Sequence, residues 1–419
     1  MIRKFFIATV LCLISVTVSA QNRFPKPDFE SGYQYPDIHY VTPHEVFWTG
    51  VDIFMLVAMM SVAAWAVLRK RVRTPVIVLS LISVAYFGFF RKGCVCSIGS
   101  IQNMALALTD SSCTVPITVL IFFVLPLIFA LFFGRVFCSG VCLFGAMQDL
   151  VNVRNYRLSK VVTKTLGLLP WIYLAMAVMF AVTRSGFIIC RYDPFIGIFR
   201  FGGDTALIVF GALLLVASVV TGRPFCRFLC PYGALLSLFS RVAVFKTRIT
   251  VNCINCDLCR NSCPVDAVLP PYENRVGESR AKGVRRILNY LILLPLIMLI
   301  GALLMRGLSG TFSRVNKTVR LYEMVSTTPD PRESNAPELV AFYGSEGNAE
   351  LLKSDTEAIV AKFKTWATVS GAFIGLVVAL TLIGLSLKRT RKKYEIDHAA
   401  CVSCARCFGY CPQNQIVKQ

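Results

Sequence analysis

Between Cys253 and Pro264 the chain reads CINCDLCRNSCP, and between Cys401 and Pro412 it reads CVSCARCFGYCP. Both are C-x2-C-x2-C-x3-C-P runs, a ligand pattern for [4Fe-4S] cubanes. Three close cysteines wrap three irons of one cubane, and the fourth, followed by proline, reaches to a neighbouring cubane. One run alone leaves each cubane a thiolate short, so the two runs have to fold together. Cluster one is therefore assigned Cys253, Cys256, Cys259 and Cys411, and cluster two Cys263, Cys401, Cys404 and Cys407. Zinc sites more often pair two short motifs across a longer gap, so two complete runs favour iron–sulfur clusters over zinc or disulfides. Two apolar stretches separate the runs, so whatever crosses a membrane between them has to return to the same side.

The chain has 419 residues, 55% of them hydrophobic, and a mean hydropathy of +0.63. Apolar runs recur, which indicates a polytopic all-α membrane protein. Seven spans are expected near 48–68, 75–90, 116–133, 165–182, 205–221, 287–306 and 367–387. Residues 1–20 read as a signal peptide or an uncleaved signal anchor, and 21–46 as a short extracytoplasmic segment. A transmembrane domain then covers 47–249. The two cluster-binding halves are 250–286 and 388–419, and between them come a helix at 287–306, an outer cap at 307–366 and a helix at 367–387. The net charge of +21 does not require nucleic acid. The basic residues crowd into short loops, beginning with Arg69-Lys70-Arg71-Val72-Arg73, as the positive-inside rule expects. Alternation then places 134–164, 222–286 and 388–419 in the cytoplasm of a bacterial inner-membrane protein, so both cluster runs fall on one side. The three histidines, His39, His44 and His398, lie outside the apolar runs, which argues against a bis-histidine haem in the membrane.

A repeat links the spans. GRVFCSGVCLFGA from Gly134 and GRPFCRFLCPYGA from Gly222 share Gly, Arg, Phe, both Cys, Gly and Ala. Each copy follows a helix pair of the same direction, so a pseudo-two-fold along the membrane normal is expected. That axis gathers Cys138, Cys142, Cys226 and Cys230 at the inner face, a complement for a third [4Fe-4S] cubane. Packing of two cysteines on one helical face is the alternative. Arg135, Arg223 and Arg227 would offset the cluster's negative charge or simply anchor the inner face. Beyond the other ends of these helices lie Cys94, Cys96, Cys113 and Cys190. They read either as a further iron–sulfur centre near the outer face or as disulfide partners, Cys94 with Cys113.

The motifs KGCVCSIGSIQN, GRVFCSGVCLFGAMQDL, ICRYDPFIGIFR, GRPFCRFLCPYG and KYEIDHAACVSCARCFGYCP occur in this order. Together they resemble the NosR/NapH group of membrane polyferredoxins over nearly everything from about residue 45 onward. The resemblance implies a polytopic helical domain carrying a small α+β two-[4Fe-4S] ferredoxin-like module in the cytoplasm. It also implies electron transfer to extracytoplasmic reductases, notably nitrous oxide reductase. By position, the eight cysteines of the two runs match the ferredoxin ligands, and Cys138, Cys142, Cys226 and Cys230 match the paired membrane motifs. Two departures stand out. Residues 21–46 are too short for the flavin-binding outer domain of such proteins, and Leu143 follows Cys142 where Pro231 follows Cys230.

The expected role is the electron-transfer subunit of a membrane oxidoreductase complex. Electrons would pass between the cytoplasmic clusters and an extracytoplasmic partner, a flavoprotein in a split system, with a cytoplasmic donor or the quinol pool at the other end. The apolar membrane core is about 30 Å thick, so a quinone is an expected intermediary if the inner and outer centres stand far apart. The alternatives are a quinol dehydrogenase subunit feeding a periplasmic reductase, and an iron–sulfur sensor or assembly factor.

Overall fold

The computed structural model describes residues 46–93, 96–110, 113, 115–250, 252–272, 280–327, 336–344, 348–386, 391 and 393–416. The expected leader at 1–20, the segment 21–45 with His39 and His44, and Cys94 lie outside the described residues.

Helices form at all seven apolar stretches. α1 (Val46–Trp65) and α2 (Thr74–Ser83) are each prolonged by a wider turn, Ala66–Lys70 and Val84–Phe90. α3 (Ser100–Thr109) and α4 (Ile117–Phe133) follow. The first copy of the repeat forms two short helices, α5 (Phe137–Gly140) and α6 (Leu143–Leu150). α7 (Leu169–Val182) and α8 (Thr205–Val220) lead to its second copy, α9 (Pro224–Phe228) and α10 (Pro231–Arg241). α11 (Arg280–Gly307) and α12 (Ala349–Ser386) complete the set. Among the described residues, Phe47–Lys70, Val161–Val182, Gly283–Gly307 and Ala349–Leu385 are long and apolar enough to cross a membrane. Thr74–Phe90, Ile117–Phe133 and Thr205–Val220 are shorter apolar helices. Leu291, Ile292, Leu303 and Leu304 of α11 are exposed, an arrangement suited to lipid rather than water.

The expected boundary at residue 367 is absent, because α12 runs unbroken from Ala349 through 38 residues. At the α-helical rise that is roughly 57 Å, longer than the apolar slab, so its first half extends beyond the span. Residues 349–366 contain no proline and no glycine, and nothing in them stops the helix. Phe363 and Ala367 pack with Met179, Phe180 and Met305, which ties this extension to the ends of α7 and α11. Asn316 donates to Ser185 across the same end at 3.0 Å. Lower down, α11 and α12 touch backbone to backbone: a Cβ on Gly371 would stand 2.2 Å from the Gly301 carbonyl oxygen. Only glycine permits that approach.

The two cluster-binding halves form one module. β1 (Val268–Leu269) pairs antiparallel with β2 (Glu395–Ile396), with Val268 opposite Ile396 and Leu269 opposite Glu395. Tyr272 and Arg391 exchange two backbone hydrogen bonds of 2.9 Å. Tyr394 from the second half donates to Asp257 of the first at 2.8 Å. The module shares a core with the membrane helices, since Cys263, Val265, Val268, Tyr394, Val402 and Cys404 are buried in one cluster with Phe137, Phe144 and Phe225.

Candidate iron–sulfur sites

The first ferredoxin-like set sits in one apolar cleft. Cys253, Cys256, Cys259 and Cys411 line it with Ile249, Ile254, Tyr394 and Pro412. Burial, then the neighbouring Cys253, Cys256 and Cys411 thiolates, push the Cys259 thiol up to about 11. The second set, Cys263, Cys401, Cys404 and Cys407, lines a separate cleft with Val265, Val268, Ile396 and Val402. The Ala267 N–H donates to Cys263 Sγ at 3.3 Å. Burial pushes the Cys401 thiol up to about 12 and that of Cys407 well above its ordinary value. Cys407 lines the first cleft as well as the second, so the two sets adjoin, and the first cleft draws Cys407 and Cys411 from the second run while the second draws Cys263 from the first.

The membrane repeat brings its four cysteines together by interlocking its copies. Cys138, Cys226 and Cys230 are buried, and Cys142 is partly so. Burial and then the Cys226 and Cys138 thiolates raise the Cys142 thiol well above its usual value. Burial followed by Cys226, Cys142 and Cys138 does the same to Cys230. The repeated glycines explain the interlock. A Cβ on Gly145 would stand 3.6 Å from Arg223 Nη1, and one on Gly233 3.2 Å from Arg135 Nη2. Each copy's arginine therefore crosses over the glycine of the other copy.

Donors reach these sulfurs. Gln148 Nε2 lies 3.5 Å from Cys226 Sγ, while its Oε1 accepts the Phe225 N–H at 3.0 Å. The Gly233 N–H lies 3.2 Å from Cys230 Sγ, and Arg135 Nη2 3.9 Å from Cys138 Sγ. Arg135 Nη1 donates to the Ala399 carbonyl at 2.9 Å, so one guanidinium touches both the membrane set and the second ferredoxin half. Fully buried Arg223 donates to the Cys138 and Ser139 carbonyls. It also pairs with Asp149 at 3.2 Å, which in turn meets Arg73 at 3.4 Å. Burial works against the Asp149 carboxylate, yet Arg223, Arg73 and Arg406 hold it below its ordinary value. Arg223 also feels Cys404, Cys226 and Cys138, so it stands between the second ferredoxin set and the membrane set. Arg227 departs from expectation. It pairs with Asp266 at 2.8 Å and ties the repeat to the ferredoxin module.

Among the described residues no three histidine, cysteine or carboxylate side chains close around one point, as a single metal ion requires. Nor does any described cysteine form a disulfide. Three crowded sets of four thiols, short of carboxylates and supplied with N–H donors to sulfur, suit a larger cationic core bound by thiolates. An iron–sulfur cluster is such a core.

The cysteines expected at the far end divide. The backbone N–H of Cys113 bonds the Asp110 carbonyl at 3.1 Å, and no described interaction joins Cys113 to Cys96 or Cys190. Cys190 instead approaches the turn that carries Cys96. A Cβ on Gly99 would stand 2.9 Å from Cys190 Sγ and 3.9 Å from the Cys96 carbonyl oxygen. Burial, then Asp193, pushes the Cys96 thiol up to about 12. Gln102, fully buried, accepts the Ile189 N–H at 2.9 Å and so fixes the turn before Cys190. Cys96 lies deeper than a surface loop would place it. It shares an apolar cavity with Cys142, lined by Leu56, Phe87, Phe122 and Phe144. That cavity lies between the membrane set and the turn that carries Cys96.

Sequence reasoning did not find Gln148, Asp149 or Gln102. One signal was available. After Gly145-Ala146 the first copy reads Met147-Gln148-Asp149, whereas the second reads Leu235-Leu236-Ser237 after Gly233-Ala234. A glutamine and a carboxylate stand in the first copy where the second has leucine and serine.

A 4Fe-4S binding domain family model matches residues 115–160 and 204–250, the two copies of the repeat. The chain is 31% identical over 147 residues to an uncharacterized protein of Methanocaldococcus jannaschii, covering 34% of this chain and 56% of that one. It is 29% identical over 156 residues to the regulatory protein NosR of Stutzerimonas stutzeri, covering 33% of this chain and 21% of that one. It is 30% identical over 157 residues to the putative electron transport protein YccM of Escherichia coli, covering 33% of this chain and 43% of that one. The matched part thus spans about half, or less, of these three relatives. No solved structure matches.

Proposed function

We propose that this chain, a homologue of the NosR/NapH-type membrane ferredoxin-type proteins, is a transmembrane electron conduit. Cys253, Cys256, Cys259 and Cys411 hold one [4Fe-4S] cluster, Cys263, Cys401, Cys404 and Cys407 a second, and Cys138, Cys142, Cys226 and Cys230 a third. Cys96 and Cys190 belong to a further centre at the far end. When bound, the clusters supply one-electron exchange. The chain's own residues hold the sets adjacent, keep water from them and neutralise their charge through Arg135 and Arg223.

The observation that carries this reading is the succession of the cysteine sets. Cys407 lines both ferredoxin-like clefts, Arg223 donates to the Cys138 carbonyl of the membrane set, and Cys142 shares a cavity with Cys96. That last contact favours a continuous conduit over a quinol dehydrogenase confined to one side.

The proposed topology is seven spans in a bacterial inner membrane, with the ferredoxin-like module cytoplasmic. Its support is local. The basic loop after α1 touches that module, with Arg71 lying 5.4 Å over the Phe408 ring and its carbonyl accepting from Asn414 at 3.3 Å. The electron partner outside is a flavoprotein, as the NosR-like resemblance implies.

The test is iron and acid-labile sulfide on protein purified without oxygen. Three four-iron clusters contribute about twelve of each per chain, and the further centre adds to that. Cys226→Ser is expected to lower both by about four while the ferredoxin-type EPR signals persist. Cys96→Ser with Cys190→Ser is expected to remove a separate signal. Unchanged iron in that double variant would make Cys96 and Cys190 structural and end the conduit at Cys142.

A further inference from the structure

The series of cysteines ends at the surface. Cys96 is partly buried, whereas Cys190 is exposed. Around it stand exposed cations from two separate segments. Arg191 follows it directly and lies 5.8 Å over the Tyr192 ring. Arg200 acts electrostatically on Cys190 and donates through Nε to the Lys92 carbonyl at 3.3 Å, which brings exposed Lys92 alongside. Two aromatic residues complete the rim: Tyr192 is 55% exposed, and Phe201, stacked on Phe89, is 85% exposed.

Loops opposite the cytoplasm are ordinarily poor in Lys and Arg, so cations gathered here call for another explanation. Lipid headgroups would suit cations at the ends of the lipid-facing helices α11 and α12. These cations instead lie exposed on the two loops beside the exposed Cys190, while Asp193, which also acts on that thiol, is buried. A positive rim with a few exposed aromatics steers and seats a negatively charged partner.

We propose that the face formed by Lys92, Arg191, Arg200, Tyr192 and Phe201 around Cys190 docks an acidic electron-transfer protein. The proposal deepens the conduit reading and rests on it.

The test uses the full chain in phosphatidylcholine vesicles, with the ferredoxin-like end inside and dithionite enclosed as the electron source. Ferricyanide, an anion, and hexaammineruthenium(III), a cation, are supplied outside. Each accepts one electron per ion, and protein-free vesicles give the leak. The double variant Arg191→Glu with Arg200→Glu is expected to slow ferricyanide reduction about three- to tenfold and to speed that of the ruthenium complex. The two effects should converge at high salt.

A second readout needs no cluster. Tyr192→Cys is exposed to an anionic or a cationic methanethiosulfonate; the thiolate forms a mixed disulfide and sulfinate leaves. The anionic reagent should react faster, and Arg191→Glu should reverse that order. Equal rates with both reagents, or an unaltered preference between acceptors, would overturn the proposal. So would an effect confined to vesicles containing phosphatidylglycerol, which would assign the cations to headgroups. If the wild type reduces neither acceptor while the reagents still discriminate, the conduit reading is what fails, and the docking proposal falls with it.

Discussion

Arg223 is the residue on which most of the inner-face chemistry converges. It is fully buried, yet it stays charged because Asp149 and the neighbouring thiolates outweigh its burial. Removing one partner of a buried pair leaves the other charge without compensation and costs about 3–5 kcal/mol. Arg223→Met is expected to lose stability of that order in denaturant titration, and Arg223→Lys less, because lysine keeps the charge opposite Asp149 although it cannot fork between two carbonyls. The pH dependence follows from Asp149. Its carboxyl is held below the ordinary value of 3.8, so its ionised form stabilises the fold above that pH. The contribution is lost as the pH falls below it. The acid limb of the stability profile is therefore expected to flatten in Arg223→Met, which a pH series of melting curves would show. That an arginine stood beside the cysteines was legible in Gly134-Arg135 and Gly222-Arg223. Which of the neighbouring arginines served the sulfurs was not. Arg227 stands beside the same cysteines in sequence but pairs with Asp266 of the ferredoxin-like module.

At the scale of elements, glycines decide how closely the pieces approach. Gly222 begins the second copy of the repeat, and a Cβ there would stand 2.2 Å from the Pro264 carbonyl oxygen. Pro264 follows Cys263, so this contact seats the ferredoxin-like module on the membrane repeat. Gly222→Ala is expected to displace that seat and to lower the thermal midpoint. It should also deplete the cluster served by Cys263 before that of the first set, read as loss of one EPR signal. The repeat partner Gly134 has a different reason, a φ of +74 that side-chain-bearing residues rarely adopt. Between α11 and α12 the Gly301, Gly371 and Gly375 backbones are in contact. Gly371→Leu is expected to part the two helices, whereas Gly384→Ala meets nothing within 4 Å and should be neutral or slightly stabilising. Thermal melts of the two variants in one detergent separate the cases. Apolar periodicity located all these helices. It did not reveal that α12 starts at Ala349, since helix propensity carries on through polar residues as readily as through apolar ones.

For the whole molecule, the crossed ligand sets make the two termini of the α11–α12 excursion interdependent. Deleting residues 391–419 is expected to abolish both ferredoxin-type signals rather than one, since each cleft would lose a cysteine. Survival of either signal would refute the crossed assignment. The sequence by itself indicated that the two cysteine runs share one module and that Cys138, Cys142, Cys226 and Cys230 gather. Spacing along a chain is a covalent property, and a repeat of helix pairs suggests its own axis. It also located the apolar helices, whose composition is local. Only the tertiary structure decided that Cys96 lies behind the surface beside Cys142 while Cys190 stays open, and that Cys113 stands apart. The same holds for the choice of Arg135 and Arg223, rather than Arg227, to face the sulfurs. Those outcomes depend on how deeply each loop folds back between helices and on which distant backbone it meets, and neither is encoded in any one segment.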